Sequence, residues 1–149
     1  MKPRCALPPH AYVPGQSARH PEDRFDRIRE TARPGMTVAG LEQSDAWLCG
    51  WDYLDAGYYW EAHELWEPVW MALPPNSAER QFAQAAIQFA NAALKLRMAR
   101  PKAALRLCDL VENLLADLSS RESILGHDPR DLAACAADLR ERISNKYAI

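Results

Sequence analysis

Two potential metal ligands, His63 and Glu67, lie four residues apart in the aromatic run GYYWEAHELWEPVW. Because an α-helix advances about 100° per residue, this spacing brings an imidazole and a carboxylate to one helical face, where both can bind the same ion. Tyr59 and Trp70 fall on that face and Trp66 flanks it, so aromatic rings would exclude water and strengthen the coordination. The run therefore predicts a site for a divalent metal ion, whose identity the spacing leaves open.

The same run begins like the HExxH pattern of zinc proteases, but Glu67 replaces the second histidine. Glutamate can also ligate a metal, and Glu64 then takes the position of the general base that activates water. Helical geometry turns Glu64 toward the edge of the ligand face, about 100° from His63. Glu61 is the second carboxylate that we assign as a base or as a supporting group around the metal. These residues predict a hydrolase-type metal site.

A structural interpretation of the pair stands beside the metal site. Side chains at i and i+4 commonly stabilise helices, so His63 and Glu67 are also consistent with a hydrogen-bonded or ion pair that orients two helices. Three further histidines, His10, His20 and His127, are candidate third ligands, although histidines in an arm or a turn more often lie on the surface. Spacing alone leaves both interpretations open.

Polar side chains repeat along a second segment at i, i+4, i+7 and i+11, namely Gln84, Gln88, Asn91 and Lys95. They form a narrow stripe on a helix that is otherwise rich in Ala, Phe, Ile and Leu. Because buried amides need partners, we expect Gln84, Gln88 or Asn91 to face the His–Glu pair and to contact a substrate or support the ligands. The alternative is that the stripe is the solvent side of the helix, although an outer face usually carries more charge than one lysine.

The elements that must position these residues are helices, since five segments carry apolar residues at helical spacing and none alternates with the period of a strand. Pro68 lies inside the second segment, where it should kink or end the helix. Asn76 and Glu79 form a capping box before the third. We predict an all-α, single-domain bundle of about five helices, at residues 41–56, 58–72, 77–100, 101–119 and 129–146.

Five prolines interrupt the first 22 residues. Each fixes its own φ and pushes the preceding residue into an extended conformation. We therefore predict an extended arm over residues 1–22, in which Tyr12 and Val13 would anchor any ordered part, followed by a short helix at 22–32. The resulting domain boundaries are 1–36 for the arm with its connecting segment and 37–149 for the bundle.

The composition is that of an ordinary globular domain, with 149 residues of which 48% are hydrophobic and 26% charged. A net charge of −2 does not indicate a surface for nucleic acid or for anionic membranes. No stretch approaches the roughly 18 apolar residues of a membrane span, and without a signal-peptide pattern we expect a cytoplasmic location. The four cysteines, Cys5, Cys49, Cys108 and Cys135, lie far apart, so we predict four reduced thiols.

The segment around the motif resembles a known family. Its pattern GYYWEAHELWE is followed by a glutamine-containing helix that ends in AALK, and both are similar to features of the prokaryotic domain-of-unknown-function family numbered 309. The family's hallmark, HxxxExxW, is matched here by His63, Glu67 and Trp70. The run LPPHAYVPG at residues 7–15 also resembles the leader of bacterial members. The resemblance is close over residues 50–100 and looser over the last two helices.

The resemblance implies an all-helical protein whose motif has been suggested to bind metal. Some members of the family carry a metal-dependent-hydrolase label without a defined substrate. This strengthens the metal interpretation, but analogy at the level of a fold does not define a reaction.

Two classes of function follow from these observations. The first is a metal-dependent hydrolase that acts on a small-molecule substrate. The second is a non-catalytic module for a protein partner, because GYxxEA at 57–62 and AAL at 103–105 are similar to the helical hairpins of tetratricopeptide repeats, although no period of about 34 residues is evident. Five tryptophans, several of them near the motif, indicate either a self-association surface, as in a homodimer, or a covered pocket.

Overall fold

The computed structural model describes residues 5–120 and 122–149, and within these residues the chain is all-α, as predicted. Besides its helices, this part of the chain contains one isolated bridge, between Ile124 and His127, and no sheet. No helix among the described residues combines the length and the apolar character that crossing a membrane requires. The seven helices of these residues are α1 (Asp26–Arg29), α2 (Val38–Glu42), α3 (Asp45–Asp55), α4 (Tyr59–Ala72), α5 (Ala78–Arg97), α6 (Pro101–Ala116) and α7 (Pro129–Tyr147).

The five long helices, α3 to α7, correspond to the five predicted segments, and local signals explain their ends. The side chains of Ser44 and Ser77 accept backbone hydrogen bonds at the starts of α3 and α5. Pro101 and Pro129 begin α6 and α7, where an N–H would have no intrahelical partner. Gly57, with a φ of +86°, follows α3 in a left-handed conformation that favours glycine.

Two predicted helix starts were wrong. The first long helix begins at Asp45 because Ser44 caps it, and Leu41 belongs to the separate short helix α2. The cap of α5 is Ser77, one residue after the predicted Asn76, which instead has a positive φ of 62°. In both cases a serine hydroxyl forms the cap that decides the boundary.

Pro68 lies inside α4, and the helix continues past it to Ala72. Proline has no N–H, so the carbonyl oxygen of Glu64 lacks its intrahelical donor. We predicted a kink or an end at this position. The helix does not end, and the missing backbone hydrogen bond lies within the motif.

Each long helix packs against the next one along the chain, and the main core involves α3, α4 and α5. Trp47 and Trp66 are fully buried there, and the Nε1–H of Trp66 donates to the carbonyl oxygen of Trp47 at 3.1 Å. Gly50 makes this approach possible because a Cβ at that position would overlap the Trp66 ring. This packing fixes the rotation of α4 about its axis, and therefore the direction in which its motif faces.

Residues 5–22 form an arm that contains no helix, as the prolines predicted, and the arm packs on the bundle. The Tyr53 hydroxyl donates to the carbonyl oxygen of Ala6 at 2.9 Å. Both predicted anchors make contact, since Val13 is buried and the Tyr12 ring packs edge-on against an indole. The arm is therefore a part of the folded structure.

The prediction of four free thiols was wrong for two of the cysteines. Cys5 in the arm and Cys49 in α3 form a disulfide, with their Cα atoms 5.8 Å apart. A separation of 44 residues concealed this proximity, because only the docked arm brings Cys5 to α3. Cys108 and Cys135 are free, the first buried and the second exposed.

Candidate functional site

Three potential metal ligands meet on one side of α4, namely His63, Glu64 and Glu67. One atom of each lies within 4.8 Å of the others, and no second group of this kind occurs among the residues that the structure describes. Nε2 of His63 is 3.5 Å from a Glu67 carboxylate oxygen, and its Nδ1 is 4.0 Å from an oxygen of Glu64. Glu64, which the sequence suggested as a base, therefore lies in the same group as the predicted ligands His63 and Glu67.

The cluster is partly open to solvent. The side chains of His63 and Glu64 are 24% and 22% exposed, and that of Glu67 is 42% exposed. Nδ1 of His63 is nevertheless buried and has no hydrogen-bond partner among the described residues. A buried polar atom without a partner destabilises the folded state by about 1–3 kcal/mol. Binding of a ligand to this nitrogen would remove that cost. An imidazole nitrogen with two carboxylates is a donor set that suits zinc, manganese or iron.

Arg29 is a residue of the site that the sequence did not indicate. Its Nη1 lies 3.8 Å from an oxygen of Glu64, and its Nε is buried with no hydrogen-bond partner in the part of the chain that the structure describes. A guanidinium at this distance neutralises part of the Glu64 charge and competes with a metal ion for that carboxylate. No motif signals Arg29, because only the packing of the four-residue helix α1 on α4 brings it there.

Glu61, assigned from the sequence as a base or a supporting group, lies on the opposite side of α4. Two residues along a helix correspond to a rotation of about 200°, which turns Glu61 away from His63. Its side chain is fully buried, and one carboxylate oxygen accepts a hydrogen bond from the Tyr12 backbone N–H at 2.6 Å. The same oxygen lies 2.7 Å from Nε2 of His20. Glu61 therefore anchors the arm and lies outside the cluster.

The aromatic residues predicted around the pair fall into two groups. Trp66 is fully buried in the core. Tyr59 and Trp70 are half-buried at the two ends of the motif, and each has an arginine of α5 over its ring. The guanidinium carbon of Arg97 lies 4.4 Å from the Tyr59 ring centroid, and that of Arg80 lies 4.4 Å from the Trp70 centroid. Both are cation–π contacts.

These two contacts set the antiparallel register of α5 against α4. Residues of α5 between the two arginines lie level with the motif along the helix axis, and the stripe of Gln84, Gln88 and Asn91 falls in this range. Gln84 and Trp70 line one cavity of about 320 Å³. Nδ2 of Asn91 donates to Oε1 of Gln88 at 3.4 Å, but no hydrogen bond of the described residues joins the stripe to the cluster. That one of these amides faces the cluster stays a prediction.

The other histidines lie away from the cluster. The His20 side chain, paired with Glu61, is only 2% exposed, and His10 stacks on it with the ring centroids 4.8 Å apart. His127 stacks on Trp51 at 4.1 Å, and burial lowers the pKa of His127 below its ordinary value of 6.5. None of the three belongs to the group of potential ligands.

The described residues define a class of protein, an all-α bundle whose second long helix carries a histidine and two carboxylates on a partly open face. Residues 47–107 match the model of the family described as Domain of unknown function (DUF309). Over this segment the chain is similar to the DUF309 family, which confirms the resemblance carried by HxxxExxW. The matched segment includes all of α4 and α5, and therefore both the cluster and the polar stripe.

No curated protein and no solved structure showed significant similarity to the chain. The description of the family names no activity. The match therefore identifies the segment that carries the motif, and the chemistry of that segment has to be inferred from its residues.

Proposed function

We propose that the motif face of α4 binds a divalent metal ion through His63, Glu64 and Glu67. The observation that carries the proposal is the grouping of one imidazole nitrogen and two carboxylate oxygens within 4.8 Å of one another. The buried Nδ1 of His63 supports it, because no group of the described residues satisfies this nitrogen and a bound ion could do so.

The openness of the cluster favours a catalytic role for the ion. Three protein ligands with further positions left to solvent characterise catalytic zinc sites, whereas structural sites are closed. When bound, such an ion would polarise a substrate oxygen or lower the pKa of a water molecule, which is the chemistry of metal-dependent hydrolases. We therefore propose, more specifically, that the metal site hydrolyses a small-molecule substrate.

The chain's own carboxylates limit this chemistry. Glu61 is bound to the arm, so Glu64 is the carboxylate next to His63 that remains for a base. Arg29 lies 3.8 Å from one oxygen of Glu64, while the other oxygen lies 4.0 Å from His63. Glu64 therefore keeps one oxygen toward the cluster, and it can act there as a ligand or as a base but not as both.

Metal content of the purified, untagged protein tests the proposal. After reconstitution with zinc, manganese, iron or nickel, we expect mass spectrometry to find a stoichiometric ion in the wild-type protein. His63→Ala and Glu67→Gln should lose it. Glu141→Gln, which changes an exposed glutamate of α7, should retain it. A wild-type protein that takes up none of these metals would refute the proposal.

A second function retains the pair without a metal. His63 Nε2 and a Glu67 oxygen already lie 3.5 Å apart, which is an i,i+4 ion pair that stabilises a helix by itself. The hairpins α3–α4 and α5–α6 are the kind of element from which interaction modules for protein partners are built. Under this alternative the wild-type protein would take up no metal, and both variants would lose stability in metal-free buffer.

A further inference from the structure

A cleft of about 710 Å³ lies between the C-terminal parts of α5 and α7, beside the first residue of α4. No residue of the His63 cluster lines it. Its lining combines cationic side chains with apolar and aromatic ones. The lining residues that matter here are Tyr59, Arg97, Leu139, Arg142, Lys146 and Tyr147.

The charge of this cleft is opposite to that of the whole chain. The chain has a net charge of −2, yet Arg97, Arg142 and Lys146 line the cleft and no Asp or Glu does. In the part of the chain that the structure describes, none of these three cations takes part in an ion pair. Cations gathered on a concave surface create a positive potential that concentrates anions. The lining therefore favours an anionic occupant.

Arg97 is held in place by the protein itself. Its guanidinium lies over the Tyr59 ring at 4.4 Å, and its Nη1 donates to the backbone carbonyl oxygen of Gly57. Because a guanidinium has several N–H donors, others remain for a phosphate or a carboxylate, which it can bind through two hydrogen bonds. A side chain that is already fixed loses less conformational entropy when a ligand binds.

The rest of the cleft suits an apolar or aromatic group. Leu139 is buried beneath it, and the Tyr147 ring is half-buried at its wall. A volume of about 710 Å³ also lies within the range of roughly 300–1,000 Å³ that is typical of small-molecule sites. A lone inorganic anion would leave most of this volume and its apolar surface unused.

We propose that this cleft binds an organic anion, with a phosphate or carboxylate group on an apolar or aromatic body. The three cations hold the charged group, and Leu139 and Tyr147 pack against the body. The inference goes beyond the metal site and does not depend on it. Tyr59 nevertheless lies next to both sites, because it lines the cleft and precedes His63 by one helical turn on the same face of α4.

Isothermal titration calorimetry in buffer with EDTA tests the cleft separately from the metal site. The probes are phenyl phosphate and benzoate, with phenol as the neutral control and inorganic phosphate as the control without a body. We expect at least one organic anion to bind more tightly than either control. The preference between the two then distinguishes a phosphate ligand from a carboxylate ligand.

A pair of variants connects this binding to the cleft. Arg142→Ala combined with Lys146→Ala should weaken binding about tenfold or more, because both charge-assisted contacts are lost. Both side chains are exposed, so circular dichroism should show an unchanged fold. Arg33→Ala, which removes an exposed arginine outside the cleft, should leave the affinity unchanged.

Several results would overturn the proposal. The first is that neither organic anion binds. The second is that phenol or inorganic phosphate binds as tightly as phenyl phosphate and benzoate. The third is that Arg33→Ala loses as much affinity as the double variant. Binding of a single-stranded oligonucleotide without binding of any small anion would also overturn it. That last result would assign the basic surface to nucleic acid.

Discussion

Two faces of α4 carry the same kinds of residue in opposite settings. On one face, Glu61 is fully buried and bound to His20 of the arm at 2.7 Å. On the other, His63 lies between Glu64 and Glu67 at 4.0 and 3.5 Å, with all three side chains partly exposed. Burial and the supply of protein partners, and not residue type, distinguish the two faces.

This difference separates structural residues from residues that are available for chemistry. A buried, hydrogen-bonded carboxylate is expensive to remove, because the groups that contact it are then left without a partner. Partly exposed pairs contribute only about 0–1 kcal/mol, so such residues can exchange their contacts for those of a ligand at little cost. The stable part of the motif therefore holds the arm, and the weakly held part is the candidate site.

Replacement of Glu61 should have the largest effect and tests the comparison directly. Glu61→Ala leaves the His20 side chain and the Tyr12 N–H without a partner, so at about 1–3 kcal/mol for each group we expect a loss of about 2–6 kcal/mol in the free energy of unfolding. Glu64→Ala is the matched control on the open face of the same helix, and it should cost less than about 1 kcal/mol. Urea unfolding followed by circular dichroism measures both. Similar losses in the two variants would show that the two faces do not differ.

The disulfide between Cys5 and Cys49 attaches the arm covalently to α3, in addition to the contacts that buried Glu61 makes with the arm. Cys5→Ser should reduce the free energy of unfolding by about 2–4 kcal/mol, because the bond restricts the unfolded chain. Cys135→Ser, which changes an exposed free thiol, should have little effect. Titration of the denatured, unreduced protein should find two free thiols, those of Cys108 and Cys135. Detection of all four thiols would contradict the disulfide.

The contrast between the faces also shows what was predictable from the sequence. Helical period is local information, so the five long helices were predicted with errors of a few residues. The same period placed His63 and Glu67 on one face, and the structure brings them to 3.5 Å. The helical period also argued against grouping Glu61 with His63 and Glu67, since a rotation of about 200° from His63 puts Glu61 on the opposite side of α4.

What the sequence did not reveal depends on contacts between distant segments. The bond from Cys5 to Cys49 and the approach of Arg29 to Glu64 both require that the segment before α2 packs on α3 and α4. Neither pair has a spacing that marks it. The cationic cleft was hidden for the same reason, because its cations come from the ends of two helices that are far apart in the chain.

His127 provides an intermediate case, because it is a partly buried histidine that forms no ion pair with a carboxylate among the described residues. Burial lowers its pKa, which the nearby carboxylates, Asp131 first, oppose only in part. The unfolded chain, with an ordinary histidine pKa of about 6.5, therefore takes up the proton first, so this contribution to stability is complete above about pH 6.5 and is lost as the pH falls below it.

The variant His127→Phe keeps an aromatic ring against Trp51 but does not titrate. We expect it to lose less stability than the wild-type protein when the pH is lowered from about 7.5 to about 5.5. Urea unfolding at the two pH values measures this difference, and the other histidines serve as an internal control because both proteins contain them. An identical pH dependence in the two proteins would contradict the assignment to His127.

The smallest expected effect bears most directly on function. In buffer with EDTA, Glu67→Gln removes one partly exposed i,i+4 pair and should cost only about 0.2–0.5 kcal/mol. With zinc at about a hundred times its dissociation constant, the wild-type protein should gain about 2.7 kcal/mol that the variant cannot gain, since a ligand of the folded state stabilises that state by mass action. Thermal unfolding of both proteins, with zinc and with EDTA, measures the two differences. A cost above about 2 kcal/mol in EDTA, with no further difference in zinc, would make His63 and Glu67 a structural pair like the one on the buried face. A difference that appears only with zinc would leave the open face as the part of α4 that is free to bind.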